Sequence, residues 1–235
     1  MKTASILKFF GVGADFLDEN TSAYFTEGKE MVIIDLPVSS LRKLKLMELE
    51  NYKDFYVLIT HTHGDHIGGL GLFIQWMTCV YKKNITIIAP SPRVANDLAL
   101  LLDTQGVNTS WYKIILPEEV KNKKWFKDTI LTKHAKQLKE KCFGYNLEVA
   151  GKNIVYTGDT CTLDPFKPYL KPGTIFYVDV AVYFAETHLK LEDVLDELIS
   201  YTKKGIKVFL MHLDDQMSVE DMISKISHIN VAPVE

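Results

Sequence analysis

The most informative part of this chain is LITHTHGDHIGG, residues 58–69, in which three of the seven histidines fall within six positions. His61 and His63 are two apart, so in an extended backbone their side chains leave on the same side and can hold one metal ion. The glycine that follows lets the chain turn, which directs Asp65 and His66 toward a second position. Imidazole and carboxylate groups suit zinc, manganese or iron, and the motif lacks the cysteines of a closed structural zinc site. The motif therefore predicts a catalytic metal site.

Two metal ions need more ligands than this motif provides, including one group that can bridge them. Three candidates stand where predicted strands end: His134 in LTKHA, Asp159 in VYTGDT and His212 in VFLMHLD. Strand ends that feed loops along one edge of a sheet are common positions for binding and catalytic residues. We expect these three residues to complete the site.

Strand-like and helix-like segments alternate around the histidine motif. DFYVLIT, residues 54–60, has the bulky residues of a buried strand, and the segments after it predict a β-α-β-α-β order. The second half predicts four strands, a helix, a further strand and a last helix from Ser218 to about Ile229. Each half has strands first and helices later, which predicts an α/β (α+β) fold of two sheets packed face to face with helices outside. We expect one domain over residues 1–235.

The composition narrows the class of protein. Apolar residues make up 47% and charged residues 24%, ordinary values for a globular protein, and no run of about 18 apolar residues could span a bilayer. Glycine and acidic residues follow the first apolar run too soon for a signal peptide, so we expect a cytoplasmic protein. The formal net charge of -3 argues against a nucleic-acid-coating protein, although lysines are concentrated in residues 121–141.

With these residues placed, the sequence resembles the metallo-β-lactamase superfamily over nearly its whole length. The shared pattern is Asp35 closing VIID, then HTHGDH, then His134, Asp159 and His212, in the family's order and with similar spacing. The resemblance implies a four-layer αββα sandwich with two divalent ions, zinc first, with manganese or iron as alternatives. Asp35 would orient the ligand loop by hydrogen bonds. The implied ligands are His61, His63 and His134 for one ion, Asp65, His66 and His212 for the other, and Asp159 as the bridge.

A histidine outside this ligand set separates the branches of the superfamily. His188 precedes a helix and stands 24 residues before His212, which resembles the RNase Z-like phosphodiesterase branch. There a non-ligand histidine is thought to protonate the leaving oxygen, and an acidic residue on the preceding strand orients it. A histidine near its ordinary pKa can give a proton at neutral pH. The catalytic residues predicted in this way are His188, Asp179 as its orienting carboxylate, and Asp65.

The distance between two of the ligands bears on the substrate. Only 24 residues lie between His134 and Asp159, too few for the long arm by which RNase Z holds tRNA. The chain is similar instead to the compact phosphodiesterases of this branch, including cyclic-nucleotide phosphodiesterases and phage anti-Pycsar enzymes that degrade cyclic CMP and cyclic UMP. We therefore expect a homodimeric hydrolase of a small phosphodiester or nucleotide, with metal-bound hydroxide as the nucleophile. Neither a membrane nor a long nucleic acid is expected as a partner.

Three other functions stay open at this point. The same ligands serve thioester or lactam hydrolases that resemble glyoxalase II, since one scaffold hosts several reactions. A tRNA 3′-processing endonuclease is the second alternative. The third is a nucleotide binder without catalysis. Under the phosphodiesterase prediction, the lysines of residues 121–141 would help to collect a phosphate anion.

Overall fold

The computed structural model describes residues 5–183 and 186–235. Within this part of the chain, twelve strands form two six-stranded sheets. The strands are β1 (Lys8–Gly11), β2 (Ser22–Glu27), β3 (Glu30–Ile34), β4 (Asp54–Leu58), β5 (Ile85–Ile88), β6 (Tyr112–Ile115), β7 (Phe126–Leu131), β8 (Phe143–Val149), β9 (Lys152–Tyr156), β10 (Ile175–Asp179), β11 (Lys207–Met211) and β12 (Ile229–Val231).

The helices occupy the connections between the strands. The α-helices are α1 (Ser40–Leu44), α2 (Gly64–Ile67), α3 (Leu70–Trp76), α4 (Pro92–Thr104), α5 (Pro117–Val120), α6 (Leu191–Lys203) and α7 (Gln216–Ile223). A π-helical segment, Met77–Tyr81, extends α3. Single 3-10 turns or short 3-10 helices lie at Leu49–Asn51, Thr109–Trp111, Lys136–Leu138 and Asp164–Tyr169. No helix in the described ranges is long and apolar enough to cross a membrane.

Both sheets have the same topology. In the first sheet, β1, β2 and β3 are antiparallel neighbours, and β3 to β6 run parallel. In the second sheet, β7, β8 and β9 are antiparallel, and β9 to β12 run parallel. The sequence pattern did not reveal this repeat. Its consequence is that the two halves of the chain present equivalent loops.

Aromatic side chains join the two sheets face to face. The ring of Phe9 in β1 lies 6.5 Å from that of Tyr156 in β9 and 5.3 Å from that of Tyr177 in β10. Phe25 in β2 contacts Trp125, just before β7, at 5.8 Å. These large rings are almost completely buried, and burial of this kind of side chain is the main stabilising contribution in a core. The predicted arrangement of two packed sheets with helices outside is confirmed.

Most predicted elements are present, including the β-α-β-α-β order from β4 to β6, but the predicted extent of the last helix is wrong. It ends at Ile223, and residues up to Ile229 were expected to continue it. Instead Ile229–Val231 forms β12, which pairs with β11 in parallel. Isoleucines at 223, 226 and 229 are spaced three apart, which mimics a helix. A three-residue strand is too short to show the alternation that would have corrected this.

Candidate metal centre

Most of the candidate site residues lie at the ends of parallel strands of the two sheets or in the loops that follow them, and His134 follows the antiparallel strand β7. β3 leads to Asp35 and β4 to the histidine motif, residues 61–66. In the second sheet, β9 leads to Asp159, β10 ends at Asp179, and β11 leads to His212. Parallel strands end at the same edge of their sheet, where binding crevices form. The equivalent edges of the two sheets therefore bring these loops together.

One group of four side chains has its possible ligand atoms within 4.8 Å of one another: His61, His63, His134 and Asp159. Nε2 of His61 lies 3.0 Å from Nδ1 of His63, and Nε2 of His134 lies 3.3 Å from that same atom. Oδ2 of Asp159 lies 3.5 Å from Nε2 of both His61 and His134. This group unites side chains from loops of both sheets.

Asp65, His66 and His212 form a second group. Nε2 of His66 lies 3.2 Å from Oδ2 of Asp65 and 3.3 Å from Nε2 of His212. Nε2 of His212 lies 3.3 Å from the same Asp65 oxygen. Oδ1 of Asp159 lies 3.3 Å from Nε2 of His66, and its Oδ2 lies 3.5 Å from Nε2 of His212. The carboxylate of Asp159 therefore lies between the two groups.

Protein acceptors hold the outward-facing nitrogen of several of these rings. Nδ1 of His66 lies 2.8 Å from Oδ2 of Asp35, and Nδ1 of His134 lies 2.8 Å from the carbonyl oxygen of Thr187. An imidazole that donates its Nδ1 proton to such an acceptor keeps a lone pair on Nε2. This is the arrangement of metal-binding histidines, whose other nitrogen is fixed by a carboxylate or carbonyl.

Asp35 links the end of β3 to the histidine motif. Its carboxylate is completely buried and accepts hydrogen bonds from the backbone N–H and the hydroxyl of Thr60, at 2.8 Å and 2.7 Å. The Thr60 hydroxyl also lies 3.0 Å from Nδ1 of His61. Asp35 itself has a φ of 57°, an unfavourable conformation for a residue with a side chain. The sequence indicated Asp35 as an orienting residue but missed the part played by Thr60.

The donor set fits divalent metal ions. Tetrahedral zinc with bonds of roughly 2.0–2.1 Å to nitrogen and oxygen keeps its ligand atoms about 3.4 Å apart. The contacts within the two groups are 3.0–3.5 Å. Oδ2 of Asp159 is buried and has no hydrogen bond to any residue within 5–183 and 186–235. The Nε2 atoms of His66 and His212 face each other. Two nitrogen lone pairs buried in this way repel each other, and a cation bound between them would remove the repulsion.

His188 lies beside both groups but is held by a different partner. Its Nδ1 is 2.9 Å from Oδ2 of Asp179, and its ring centre is 4.8 Å from that of His134 and 4.9 Å from that of His212. The same Asp179 oxygen accepts the backbone N–H of Thr160 at 2.8 Å. Asp179 thus connects His188 to the loop that carries Asp159.

Asp179 and His188 also form a third possible ligand group with Asp159 and His212. Nδ1 of His212 lies 3.5 Å from Oδ1 of Asp179, which is long for a hydrogen bond, and both atoms are buried without a hydrogen-bond partner in the described part of the chain. Two members of this group already belong to the groups above. The sequence missed Thr160 and Thr187 in this region, since both act through backbone groups.

Electrostatic interactions within the site are strong. Burial disfavours the charged form of His66, but the carboxylates of Asp159 and Asp35 outweigh it and raise the pKa of His66 well above its ordinary value. Burial, reinforced by His66, lowers the pKa of His61 well below its ordinary value. Burial opposes the charge of Asp159 as well, but the imidazoles around it, His212 first, hold its pKa well below the usual carboxyl range. The site therefore favours an ionised carboxylate at its centre.

The lysines of residues 121–141 fall into two sets. Several of them pair with acidic side chains: Lys123 with Glu30, Lys127 with Glu148 and Lys141 with Asp97. The other five are exposed and have no ion pair with a described residue: Lys121 and Lys124, and Lys133, Lys136 and Lys139 on either side of His134. The three beside His134 are the ones placed to attract an anion near the site.

The structure brings together all seven candidate ligands, as well as Asp35, Asp179 and His188. His228, the seventh histidine of the chain, lies outside the site. It has a φ of 79° and immediately precedes β12. Ligand roles remain predictions, whereas the proximity of the side chains is a feature of the structure.

Known structures with the same architecture define the class of this protein. YhfI, a metallo-β-lactamase fold protein of Bacillus subtilis, superposes with a TM-score of 0.74 at 16% identity, over 96% of this chain and 95% of that one. A diphosphatase of the PhnP family gives 0.69 at 15% identity over 97% and 94%. The short form of human tRNase Z gives 0.66 at 16% identity over 97% and 96%. The protein has the metallo-β-lactamase fold.

The family within that class follows from a sequence model. The model of the anti-Pycsar protein Apyc1 matches residues 6–231, and the chain belongs to this family. Ribonuclease Z of Nanoarchaeum equitans is 26% identical over 81 residues, which are 34% of this chain and 25% of that protein. The matching segment thus spans about a quarter of the ribonuclease. The resemblance stated from the sequence is confirmed, and family and fold together support a metal-dependent hydrolase.

Proposed function

We propose that this protein is a dinuclear metal-dependent phosphodiesterase that hydrolyses a small phosphodiester such as a cyclic nucleotide. The position of His188 carries the proposal. Its Nδ1 is held by Asp179 at 2.9 Å, while its ring lies against His134 and His212, one from each ligand group. A departing alkoxide needs a proton at this position, whereas a thiolate leaves more readily without one. His188 lies outside the two ligand groups that are assigned to the ions, which favours the acid role over metal binding.

The contacts among the seven candidate ligands form two groups, and we use these groups to assign the ligands to two ions. We assign His61, His63 and His134 to one ion, Asp65, His66 and His212 to the other, and Asp159 to both. When bound, two divalent ions would polarise the phosphoryl oxygens and activate the attacking water. The absence of cysteine from these groups favours this catalytic use over a structural zinc site.

Side chains of the protein would move the protons. Burial opposes the charge of Asp65, but His66 and His212 lower its pKa, so its carboxylate is ionised. An ionised carboxylate accepts hydrogen bonds only, so Asp65 would orient the attacking water by accepting one from it. Burial also opposes the charge of His188, but the attraction of Asp179 outweighs it and raises the pKa of His188. With Nδ1–H donated to Asp179, the Nε2–H of His188 is the group that would protonate the leaving oxygen.

The segment between two ligands favours a small substrate over tRNA. From His134 to Asp159 the chain forms the turn Lys136–Leu138 and then the hairpin of β8 and β9, both part of the body of the protein. This segment therefore provides no extended arm to grip a folded RNA. Exposed lysines follow His134 and would attract a small phosphate-containing anion.

A panel of substrates tests the proposal. Purified protein loaded with zinc or manganese is incubated separately with cyclic mononucleotides, cyclic dinucleotides, an acyl thioester, a β-lactam and a precursor tRNA. We expect metal-dependent cleavage of at least one cyclic nucleotide, abolished by chelation, at rates far above those for the thioester and lactam. Faster thioester or lactam turnover would identify the corresponding hydrolase, and cleavage of the precursor tRNA alone would identify a processing nuclease. Tight nucleotide binding without any turnover would indicate a binding protein.

A further inference from the structure

The segment that joins β10 to α6 supplies two groups to the candidate metal centre from neighbouring residues. The carbonyl oxygen of Thr187 lies 2.8 Å from Nδ1 of His134, a candidate ligand of the first group. The next residue is His188, the candidate acid, whose ring centre lies 4.9 Å from that of His212 in the second group. The backbone position of this one segment therefore affects both ligand groups and the proton donor.

Backbone hydrogen bonds fix the far end of this segment. The N–H of Ala181 donates to the carbonyl of Leu189 at 2.8 Å, and the N–H of Leu191 donates to the carbonyl of Ala181 at 2.9 Å. All three residues are buried. These bonds hold the residues that follow His188 against the end of β10.

Asp214 fixes the near end of the segment. Its Oδ1 accepts the backbone N–H of Val182 at 2.8 Å, and its Oδ2 accepts the backbone N–H of Tyr183 at 2.7 Å. Hydrogen bonds to a carboxylate are shorter and stronger than those to a neutral acceptor. Both oxygens of one side chain thus bind two consecutive residues of the segment.

The backbone that carries Asp214 is itself held in place. Asp214 stands two residues after His212. Between them, the N–H of Leu213 donates to the carbonyl of Val12 at 2.7 Å, and the carbonyl of Leu213 accepts the N–H of Ala14 at 3.0 Å. The Asp214 carboxylate therefore connects the loop of a candidate ligand to the segment that carries the candidate acid.

A hydrogen bond at Nδ1 alone does not fix the direction in which His188 donates. Asp179 holds that nitrogen at 2.9 Å, but the imidazole can still turn about this contact unless its backbone is also fixed. A displacement of about 1 Å at a reacting group can lower a rate by roughly a hundredfold. The placement of the Nε2–H of His188 therefore depends on the backbone of the segment as well as on Asp179.

We infer that Asp214 is a positioning residue for His188: its carboxylate holds the start of the segment, which places the Nε2–H of His188 where the leaving oxygen departs. This inference rests on the proposed function and adds a residue outside the ligand set and the Asp179–His188 pair. Asp214 acts through the backbone of Val182 and Tyr183. An acid matters more as the leaving group becomes more basic, so loss of Asp214 should slow substrates that release an alkoxide.

Two leaving groups test this inference. Metal content and steady-state kinetics are measured with a 3′,5′-cyclic nucleotide, whose leaving oxygen is an alkoxide, and with bis(p-nitrophenyl) phosphate, whose leaving group is a weak base. We expect Asp214→Ala to lower kcat for the nucleotide by about tenfold to a hundredfold, with KM, metal content and the p-nitrophenyl reaction unchanged. Asp214→Asn should lose less, because its amide oxygen can still accept one N–H. Asp221→Asn, which neutralises an exposed carboxylate of α7, is the control and should match wild type.

A double variant shows whether Asp214 acts through His188. Because His188→Ala already lacks the acid, adding Asp214→Ala should lower kcat for the nucleotide no further. Losses that multiply would show that Asp214 acts independently, and would overturn the inference. An equal loss with both substrates, or a loss of metal, would also overturn it, since each indicates a general structural role.

A measurement without turnover separates this inference from the proposed function. Hydrogen exchange followed by mass spectrometry compares peptides that contain residues 186–188 in wild type, Asp214→Ala and Asp221→Asn. We expect faster exchange in Asp214→Ala alone, and equal exchange in all three would show that Asp214 does not hold the segment. If wild type cleaves neither compound while exchange still rises in Asp214→Ala, the proposed function fails and the contact of Asp214 with the segment is supported.

Discussion

At the level of single side chains, the site depends on residues outside the seven candidate ligands. The buried carboxylate of Asp35 fixes His66 through Nδ1 and holds Thr60 by two hydrogen bonds. Thr60 in turn contacts Nδ1 of His61. One carboxylate therefore orients a candidate ligand of each ion. Removing such a partner commonly weakens metal binding even though every ligand is still present.

Asp35→Asn isolates this effect. Asparagine has nearly the same shape, but its amide can present an N–H to the Nδ1–H of His66, where the carboxylate accepted a hydrogen bond. We expect metal affinity to fall about tenfold to a hundredfold, measured by competition with a chromophoric chelator. Asp18→Asn, on the exposed loop near Phe16, is the control and should bind metal like wild type. Unchanged affinity in Asp35→Asn would show that this carboxylate does not orient the ligands.

Some of the site residues could be predicted from the sequence, and others could not. The candidate ligands and Asp179 could be predicted because the sequence alone shows their side-chain chemistry and their positions at the ends of predicted strands. Thr187 could not, since its contribution is a carbonyl oxygen that reaches His134 from 53 residues away. The backbone N–H of Thr160, which binds Asp179, was hidden for the same reason. Any residue type can provide such backbone groups.

Among the structural elements, the loop between β9 and Asp159 requires a glycine. Gly158 has a φ of 59°, and a Cβ there would lie 2.6 Å from the carbonyl oxygen of Phe143. Two features therefore require glycine at position 158: the left-handed backbone conformation and the close approach of β8. The position of Asp159 between the two ligand groups depends on this packing.

Gly158→Ala and Gly28→Ala form a matched pair of substitutions. Gly28, in the turn between β2 and β3, has a φ of 58°, but a Cβ added there would have no neighbouring atom within 4 Å. We expect Gly28→Ala to reduce the free energy of unfolding by roughly 1–2 kcal/mol, the cost of the left-handed conformation alone. Gly158→Ala should cost more, because the clash is added, and should also lower metal content. Urea denaturation and metal analysis measure both. Equal stability losses would show that the β8 contact is unimportant.

Elements were easier to predict where they are long and regular. α4 and α6 each span 13 residues with an apolar face, and the sequence predicted both. β12 was missed because its pairing with β11 depends on a distant strand rather than on local pattern. The repeated topology of the two sheets was hidden because the halves share architecture without an evident sequence repeat. Strand order depends on such tertiary contacts.

In the whole molecule, the proposed ions would join the two halves of the chain. The histidine motif follows β4 of the first sheet, whereas His134, Asp159 and His212 follow strands of the second. Each proposed ion would take ligands from both sheets. Binding to the folded state alone stabilises it by mass action. The assignment to one domain, the homodimer, the cytoplasmic location and zinc as the native metal stay predictions.

This arrangement predicts that metal loading stabilises the entire fold. At a free metal concentration one hundred times the dissociation constant, one ion contributes about 2.7 kcal/mol. We expect chelation to lower the Tm measured by calorimetry, and zinc or manganese to restore it. Asp159→Asn should show a smaller metal-dependent shift, since it weakens the group shared by both proposed sites. Identical Tm values with and without metal would contradict binding across the sheets.

The role of His188 as the acid of a metal-dependent phosphodiesterase is the central claim. The most direct test measures metal content and turnover of a 3′,5′-cyclic nucleotide in parallel, for wild type and His188→Ala. We predict equal metal content and a kcat lower by about a hundredfold to ten-thousandfold in the variant. Unchanged turnover in His188→Ala would contradict the acid role. Loss of metal along with activity would make His188 a ligand, and the assignment of the reaction would lose its main support.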